Sequence, residues 1–471
     1  MRTGMQPLGC KFEFAAHAQM PTSPPFREAH IDRYDRSGLR YASYPPAREF
    51  DEGIGESDYR DWARQSNEEL IPRPLSLYFH IPFCSSICHY CACNKENTRH
   101  REESEPYLQD LFREIEIQAE LFDRDRWVRQ LHWAGGTPGF LSRQQSRRLM
   151  DKIYAHFRLD RSDAAEYAVE IDPREMQKGD VRHFRDLGFN RISIDVQDSD
   201  PDEQQADDRV QSEAQTAAVI DEARRCGIRS INVDLIYGLP RQSVESFTAA
   251  LDNVIALEPD RIAIYNYAHL QQRFPPQRQI RAEDLPEPTD KLGILQAAID
   301  RLCGAGYQYI GMEHFAKPGD EFAQAQRRGT LLRNVQGYSA IDCCDSIGFG
   351  VSAISHVADH YSQNSTSLEQ YHEYLARHRL PVIRGYQCNH EDLLRRAVIQ
   401  GLVCHFRVDT RKISRDWEID FARHFSDELG RLESMQADGL VKIGENEIRV
   451  LAPGRLLVRN ICMVFDRFQQ F

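Results

Sequence analysis

Six short apolar runs, each separated from the next by a stretch of helical periodicity, constrain this chain more than any other feature. They cover 75–81, 131–133, 167–171, 191–196, 230–236 and 261–267. Helices are predicted between them, over 107–121, 143–157 and 213–226, the last stopped by Gly227. Strand–helix alternation of this kind predicts an α/β fold with a parallel sheet. Each run opens at its C-terminal end into polar or glycine-bearing sequence. The first leads into a cysteine-rich loop. The others lead into Ala134-Gly-Gly-Thr-Pro138, Glu170-Ile-Asp-Pro173, Asp195-Val-Gln-Asp198, Asp234-Leu-Ile-Tyr-Gly-Leu-Pro240 and Tyr265-Asn-Tyr-Ala-His269. Any one of these is an ordinary turn, but six in succession match the way parallel barrels build active sites. The expectation is a partial barrel of six strands with chemistry at one rim.

The cysteine loop reads Tyr78-Phe-His-Ile-Pro-Phe-Cys-Ser-Ser-Ile-Cys-His-Tyr-Cys-Ala-Cys93. Cys84, Cys88 and Cys91 form a C-x3-C-x2-C spacing, which can wrap three thiolates around one face of an iron–sulfur cube. Such clusters normally take four protein ligands; three leave one iron open to a small molecule. A closed zinc site that adds Cys93 or His89 is the competing reading. Zinc knuckles usually come in pairs, however, and no second half lies nearby. The spacing resembles that of radical S-adenosylmethionine (SAM) enzymes, in which SAM chelates the open iron and is cleaved to a 5′-deoxyadenosyl radical.

At 471 residues the chain has room for one large core and an appended module. No apolar run approaches the roughly 18 residues of a membrane span, and the segment 12–20 is too short and polar for a signal peptide. Four of the twelve cysteines crowd one loop and the rest show no disulfide rhythm, so a cytoplasmic protein is expected. A net charge of −13 argues against a general nucleic-acid binder. It leaves room for an anionic small substrate met by local arginines. Gly135 and Gly136 are expected to bring backbone close to a ligand, offering N–H and carbonyl groups to SAM. Glu170 and Asp234 are candidate partners for ribose hydroxyls or an ammonium, and Arg209 a candidate carboxylate clamp. Beyond 269, a helix over 289–304 and a strand over 307–312 are expected. Helices over 390–406 and 421–437 precede a hairpin of 440–443 and 447–451. That succession looks like a winged helix, read here as a lid or packing domain in preference to a DNA reader. Expected boundaries are an N-terminal extension over 1–70 with 1–25 disordered, the barrel and its extension over 71–385, and the helical domain over 386–471.

Several further motifs carry a more specific likeness. They are Arg40-Tyr-Ala-Ser-Tyr-Pro45, Cys91-Ala-Cys-Asn-Lys95, Val169-Glu-Ile-Asp-Pro-Arg174, Ile310-Gly-Met-Glu-His-Phe315 and Arg459-Asn-Ile-Cys-Met463. With these, the chain resembles the oxygen-independent coproporphyrinogen III oxidase family from about Tyr34 to Phe465. The resemblance implies a radical SAM partial (β/α)6 barrel with an N-terminal extension and a C-terminal, mainly helical domain. It implies a [4Fe-4S] cluster on Cys84, Cys88 and Cys91, with Cys93 and Tyr78 in catalytic positions. It places one SAM near Tyr78, Gly135, Glu170 and Ile354. A second SAM would lie by Tyr90, Gly136, Thr137, Gln197, Arg209, Asp234 and Ala268. The implied reaction converts two propionates of coproporphyrinogen III to the vinyls of protoporphyrinogen IX, in haem biosynthesis. An electron donor and an electron acceptor are needed, with no membrane or nucleic-acid partner and a monomeric chain. Arg33, Arg36, Arg40, Arg455 and Arg459 are candidates for the substrate carboxylates.

The chain departs from the family pattern at Asp195, where glycine is usual, at Tyr90, commonly phenylalanine, and over Ile341-Asp-Cys-Cys-Asp-Ser346. Asp195 keeps open a porphyrin-binding relative without decarboxylase activity. A radical SAM enzyme acting on another tetrapyrrole is the other alternative.

Overall fold

The computed structural model describes residues 28–34, 41, 43–198, 204, 209–341 and 344–469. The expected disorder over 1–25, and Arg36, Arg40 and Cys343, lie outside them. The chain divides into two compact units. One comprises Asp51–Ala298 and Cys344–Gly385; the other comprises Met1–Phe50, Ile299–Cys343 and Tyr386–Phe471.

The first unit is built on parallel strands β1 (Leu75–Ile81), β2 (Trp127–Gly135), β3 (Glu166–Ile171), β4 (Arg191–Gln197), β5 (Ser230–Tyr237), β6 (Arg261–Asn266) and β7 (Asp345–Phe349). Their order across the sheet is β6-β5-β4-β3-β2-β1-β7. The first six follow the sequence expectation within a few residues. The seventh does not: it pairs in parallel on the free side of β1, Leu75 opposite Asp345. Antiparallel strands at Ile354–Val357, His360–Asn364 and Val382–Tyr386 continue the sheet beyond it.

Several of these strands alternate: Glu166–Ile171, Arg191–Gln197 and Ser230–Tyr237 bury an apolar side chain at every second position, with polar residues such as Glu170, Ser193, Asn232 and Asp234 between them. β1 is buried along nearly its whole length. Phe79 stacks on Phe349 with ring centroids 4.5 Å apart, and Trp133 meets Phe189 edge-on at 4.9 Å. The flanking helices start where serine caps them. Ser142, Ser212 and Ser243 each accept a hydrogen bond from the backbone N–H three residues on. β4 carries a bulge against β5 between Asp195 and Gln197, and Gln197 takes a left-handed φ of 67°. Such kinks at sheet rims re-aim side chains.

In the other unit, helices His390–His405, Thr410–Asp416, Ser426–Ala437 and Val458–Val464 pack with a three-stranded antiparallel sheet. Glu447–Val450 is its centre, between Arg407–Asp409 and Val441–Ile443. This is the expected wing with one strand more. The single helix expected over 421–437 is instead two, because Phe425 leaves helical geometry at φ −105° and ψ 29°. Its ring is fully buried against Phe421 and Phe465. Arg33 pairs with Asp438 at 2.8 Å. Arg455 is buried over the Phe406 ring, while Arg459 sits half-buried on the last helix.

Candidate active site at the barrel rim

The cysteine loop leaves β1 at Ile81 and is tied down along its length. Gly136 N–H donates to the Ile81 carbonyl at 2.7 Å and Thr137 N–H to the Phe83 carbonyl at 2.9 Å. Beyond the cysteines, Glu96 N–H returns to the Pro82 carbonyl at 2.7 Å and Thr98 N–H to that of Cys84 at 3.1 Å. These contacts use the Gly136 N–H, one of the groups the sequence reading offered to SAM. The N–H groups of Gly136 and Thr137 face the cysteine loop, not open space for a ligand. A Cβ on Gly136 would stand 2.5 Å from the Phe83 oxygen, and one on Gly135, at φ +121°, would meet the His80 ring at 2.6 Å. Glycine is required at Gly136 because the two segments touch backbone to backbone there, and at Gly135 because of its positive φ and the His80 ring.

Charge is concentrated around the thiols. Cys88 is buried, and its Sγ accepts from Arg174 Nη2 at 3.3 Å and Arg209 Nη1 at 3.5 Å. Asp172 holds both guanidiniums, with Arg174 Nη2 at 2.6 Å and Arg209 Nη1 at 3.0 Å from Oδ2. Those cations keep the Asp172 carboxyl below its usual range despite burial. The Cys91 thiol is lowered to about 5, chiefly by a hydrogen bond from the Cys93 side chain and then by Lys95. Cys93 N–H also points at Cys91 Sγ, 3.5 Å away. Burial pushes Cys84 up to about 12, against the pull of Lys95. A thiolate is the form that ligates metal; Cys91 is shifted toward it, while burial holds Cys84 as the thiol in the absence of metal.

The other strand ends bring the remaining candidates together. On β1 the Tyr78 hydroxyl lies 3.2 Å from His80 Nδ1, and the ring packs against His132. His132 Nε2 is 3.2 Å from a Glu170 carboxylate oxygen on β3. Asp234 on β5 accepts from Ser193 Oγ at 2.7 Å and Asn232 Nδ2 at 2.9 Å. Burial raises Asp234 to about 6 and Asp195 well above the ordinary carboxyl range, with Glu170 adding like-charge repulsion to both. Asp195 accepts from Gln197 Nε2 at 3.2 Å, and its carbonyl accepts from Arg209 Nη2 at 2.7 Å. Gln277 donates to the carbonyls of both Tyr90 and Ala268, at 3.1 and 3.2 Å, tying the end of β6 to the cysteine loop. Ile354 opens the strand after β7, its carbonyl 2.7 Å from where a Cβ on Gly348 would lie. Gly348 is the register partner of Tyr78. Arg174, Asp172 and Lys95 were not singled out from sequence. The first two stand in the motif 169–174, and the charge reversal within Asp-x-Arg was the available signal.

Two observations test the fit of a cluster and SAM to these residues. The three thiols are free, and Lys95, Arg174 and Arg209 set positive charge against Cys91 and Cys88, as anionic ligands require. Thr137 Oγ1, Gln197 Oε1 and Arg209 Nε are buried with no partner among the described residues, a costly state for polar atoms that a polar ligand relieves. The residues fit.

A family model of the Radical SAM superfamily matches residues 78–254, from Tyr78 on β1 through the helix after β5. Barrel, cysteine loop and superfamily match together define a radical SAM enzyme, a class that works with a [4Fe-4S] cluster and SAM. Relatives narrow this further. Oxygen-independent coproporphyrinogen III oxidase of Pseudomonas aeruginosa is 50% identical, over 93% of this chain and 95% of the relative. That of Escherichia coli is 45% identical, over 94% and 97%. The solved structure of Escherichia coli coproporphyrinogen III oxidase, a radical SAM enzyme, covers 95% of this chain and 100% of its own, with a TM-score of 0.90 at 44% identity. The chain belongs to the oxygen-independent coproporphyrinogen III oxidase family.

Proposed function

We propose that this protein carries out the oxygen-independent oxidative decarboxylation of two propionates of coproporphyrinogen III, giving protoporphyrinogen IX. The observation that carries this reading is the loop of free Cys84, Cys88 and Cys91 with Cys93 beside it, in a chain that matches coproporphyrinogen III oxidases almost end to end. The cluster and SAM, when bound, supply the radical chemistry that removes hydrogen from the carbon β to the carboxylate. Each propionate then loses carbon dioxide and one electron to form its vinyl group, so an external electron acceptor is required.

Cys84, Cys88 and Cys91 are assigned to three irons, and Cys93, next to Cys91 and exposed, faces the reaction space. Tyr78, Gly135, Glu170 and Ile354 are assigned to the SAM on the cluster. Tyr90, Gly136, Thr137, Gln197, Arg209, Asp234 and Ala268 are assigned to a second SAM. Partnerless buried atoms on Thr137, Gln197 and Arg209 support that second site. Since Gly136 and Thr137 spend their N–H groups on the cysteine loop, they would serve it through shape and through Thr137 Oγ1. The substrate's carboxylates call for cations, and Arg33, Arg36, Arg40, Arg455 and Arg459 remain the candidates. We assign the protein to the cytoplasm as a monomer. No described helix is long and apolar enough to cross a membrane, and the described cysteines are free.

The test is anaerobic turnover of the reconstituted protein with dithionite, SAM, coproporphyrinogen III and a crude extract as electron acceptor, read by mass spectrometry. Protoporphyrinogen IX together with 5′-deoxyadenosine is expected. Deoxyadenosine without loss of two carbon dioxides would assign a different substrate or a binding role. A methyl group gained would point to other tetrapyrrole chemistry.

A further inference from the structure

The Cys88 thiol is the most heavily hydrogen-bonded of the three candidate ligands by cationic side chains. Arg209 and Arg174 both donate to its Sγ, and they differ in what else they do. Arg209 also reaches the Asp195 carbonyl and Gln211, and it belongs to the residues assigned to SAM. The side-chain hydrogen bonds of Arg174 go to Asp172 and Cys88. Its Nε lies 3.1 Å from each Asp172 oxygen, Nη2 lies 2.6 Å from Oδ2, and its backbone N–H donates to Oδ1 at 2.9 Å. This closed fork fixes Nη2 against the sulfur. The site is largely dry, with Arg174 and Asp172 side chains 15% and 9% exposed.

The charges there do not cancel. Two guanidiniums share one carboxylate, so the Cys88 side carries a net positive charge. Lys95, Tyr90 and Cys84 are further titratable neighbours of Cys88, and Asp195 faces Arg209. Adding one electron to an iron–sulfur cluster adds one negative charge. N–H donors to a ligating sulfur, and positive charge beside it, stabilise the reduced form and raise its potential. Low solvent access strengthens both effects.

We propose that Arg174, locked by Asp172, is a tuning residue that raises the reduction potential of the cluster through its hydrogen bond to Cys88, making the electron needed for SAM cleavage easier to load. This rests on cluster ligation by Cys84, Cys88 and Cys91. It assigns Arg174 a role apart from holding SAM or substrate.

The experiment is an EPR-monitored redox titration of the reconstituted, SAM-free protein, with iron and sulfide measured on each sample. Arg174→Met should shift the one-electron reduction equilibrium about tenfold toward the oxidised cluster, a fall of about 59 mV. Arg174→Lys keeps the charge but loses the fork that aims a donor at Cys88, and should fall by more than half as much. A wild-type midpoint in Arg174→Met at full iron content overturns the inference. If Arg174→Met does not retain its cluster, the decision passes to pulsed EPR on reduced protein carrying 15N-guanidino arginine. A nitrogen coupling that weakens in Arg174→Lys supports the inference, and equal spectra overturn it. Absence of iron from the unsubstituted protein would instead sink the ligand assignment, and this inference with it.

Discussion

Around Cys88 the decisive quantities are single charges. Asp172 is buried and neutralises part of two guanidiniums, that of Arg174, half-buried, at 2.6 Å and that of Arg209, buried, at 3.0 Å. Removing one partner of such an arrangement leaves uncompensated charge in a dry site, which costs about 3–5 kcal/mol. Asp172→Ala should therefore destabilise the cluster-free barrel by that amount in urea unfolding under reductant; a loss below about 1 kcal/mol would show that water reaches the guanidiniums. The cysteines separate by role. Cys84→Ala, Cys88→Ala and Cys91→Ala should each abolish iron–sulfur absorbance, whereas Cys93→Ala should keep the absorbance and lower turnover. Bleached Cys93→Ala would mean that the ligand set has been misassigned. The loop itself was legible from spacing alone, three thiols at 84, 88 and 91 standing together at the end of β1 as expected. The guanidinium pair was not legible: Arg174 and Arg209 stand far apart in sequence and meet at Cys88 only in the fold.

At the level of strands and loops, the site depends on how tightly β1 and β2 exits approach. Gly136 has no room for a Cβ, and the obstacles are the Phe83 oxygen and the Pro82 carbonyl at 2.5 to 2.7 Å, both backbone. Backbone cannot rotate away as a side chain can. Gly136→Ala should push the cysteine loop outward, costing about 1–3 kcal/mol by overpacking and lowering iron content after reconstitution. Full iron content with unchanged stability would show that the loop gives way freely. The six strands were readable because each packs Val, Ile, Leu or aromatic residues at close intervals and then opens into polar or glycine-bearing sequence. β7 was not, since Asp345-Ser-Ile-Gly-Phe349 opens on an acid and contains a glycine. Its place is set by partners far away in sequence: Asp345 pairs with Arg126 at 2.6 Å and meets Ser66, whose hydroxyl Arg126 also reaches at 2.8 Å. Only the folded sheet brings those three together. The break in the helix over 421–437 was invisible for a similar reason, being imposed by packing of Phe425.

Over the whole molecule, sequence order hides the division into units, because 299–343 groups with both chain ends rather than with the barrel that surrounds it in sequence. The barrel unit itself is joined across long separations by one buried carboxylate. Glu114 lies on the helix Ser104–Ala119 with no exposed surface. Its oxygens accept from Gly350 N–H at 2.7 Å, Tyr371 OH at 2.6 Å, Asn364 Nδ2 at 2.7 Å and Gln118 Nε2 at 3.4 Å. The same helix sends the Tyr107 hydroxyl to the His80 carbonyl at 2.7 Å, at the edge of the cysteine loop. Burial outweighs the four donors and pushes Glu114 from an ordinary 4.5 up to about 7. The folded value lies above the unfolded one, so the native barrel holds this proton more tightly than the unfolded chain. The resulting stability is complete below about pH 4.5 and is lost as pH rises through about 7, amounting to about 3 kcal/mol. Glu114→Gln removes the titration while keeping the shape, although its amide nitrogen must face a donor and lowers stability at every pH. The difference in unfolding free energy between pH 5 and pH 8 should therefore shrink by most of that amount in Glu114→Gln. An unchanged difference would place the pH dependence elsewhere, with Asp234, raised to about 6 by its own burial, the next carboxylate to substitute.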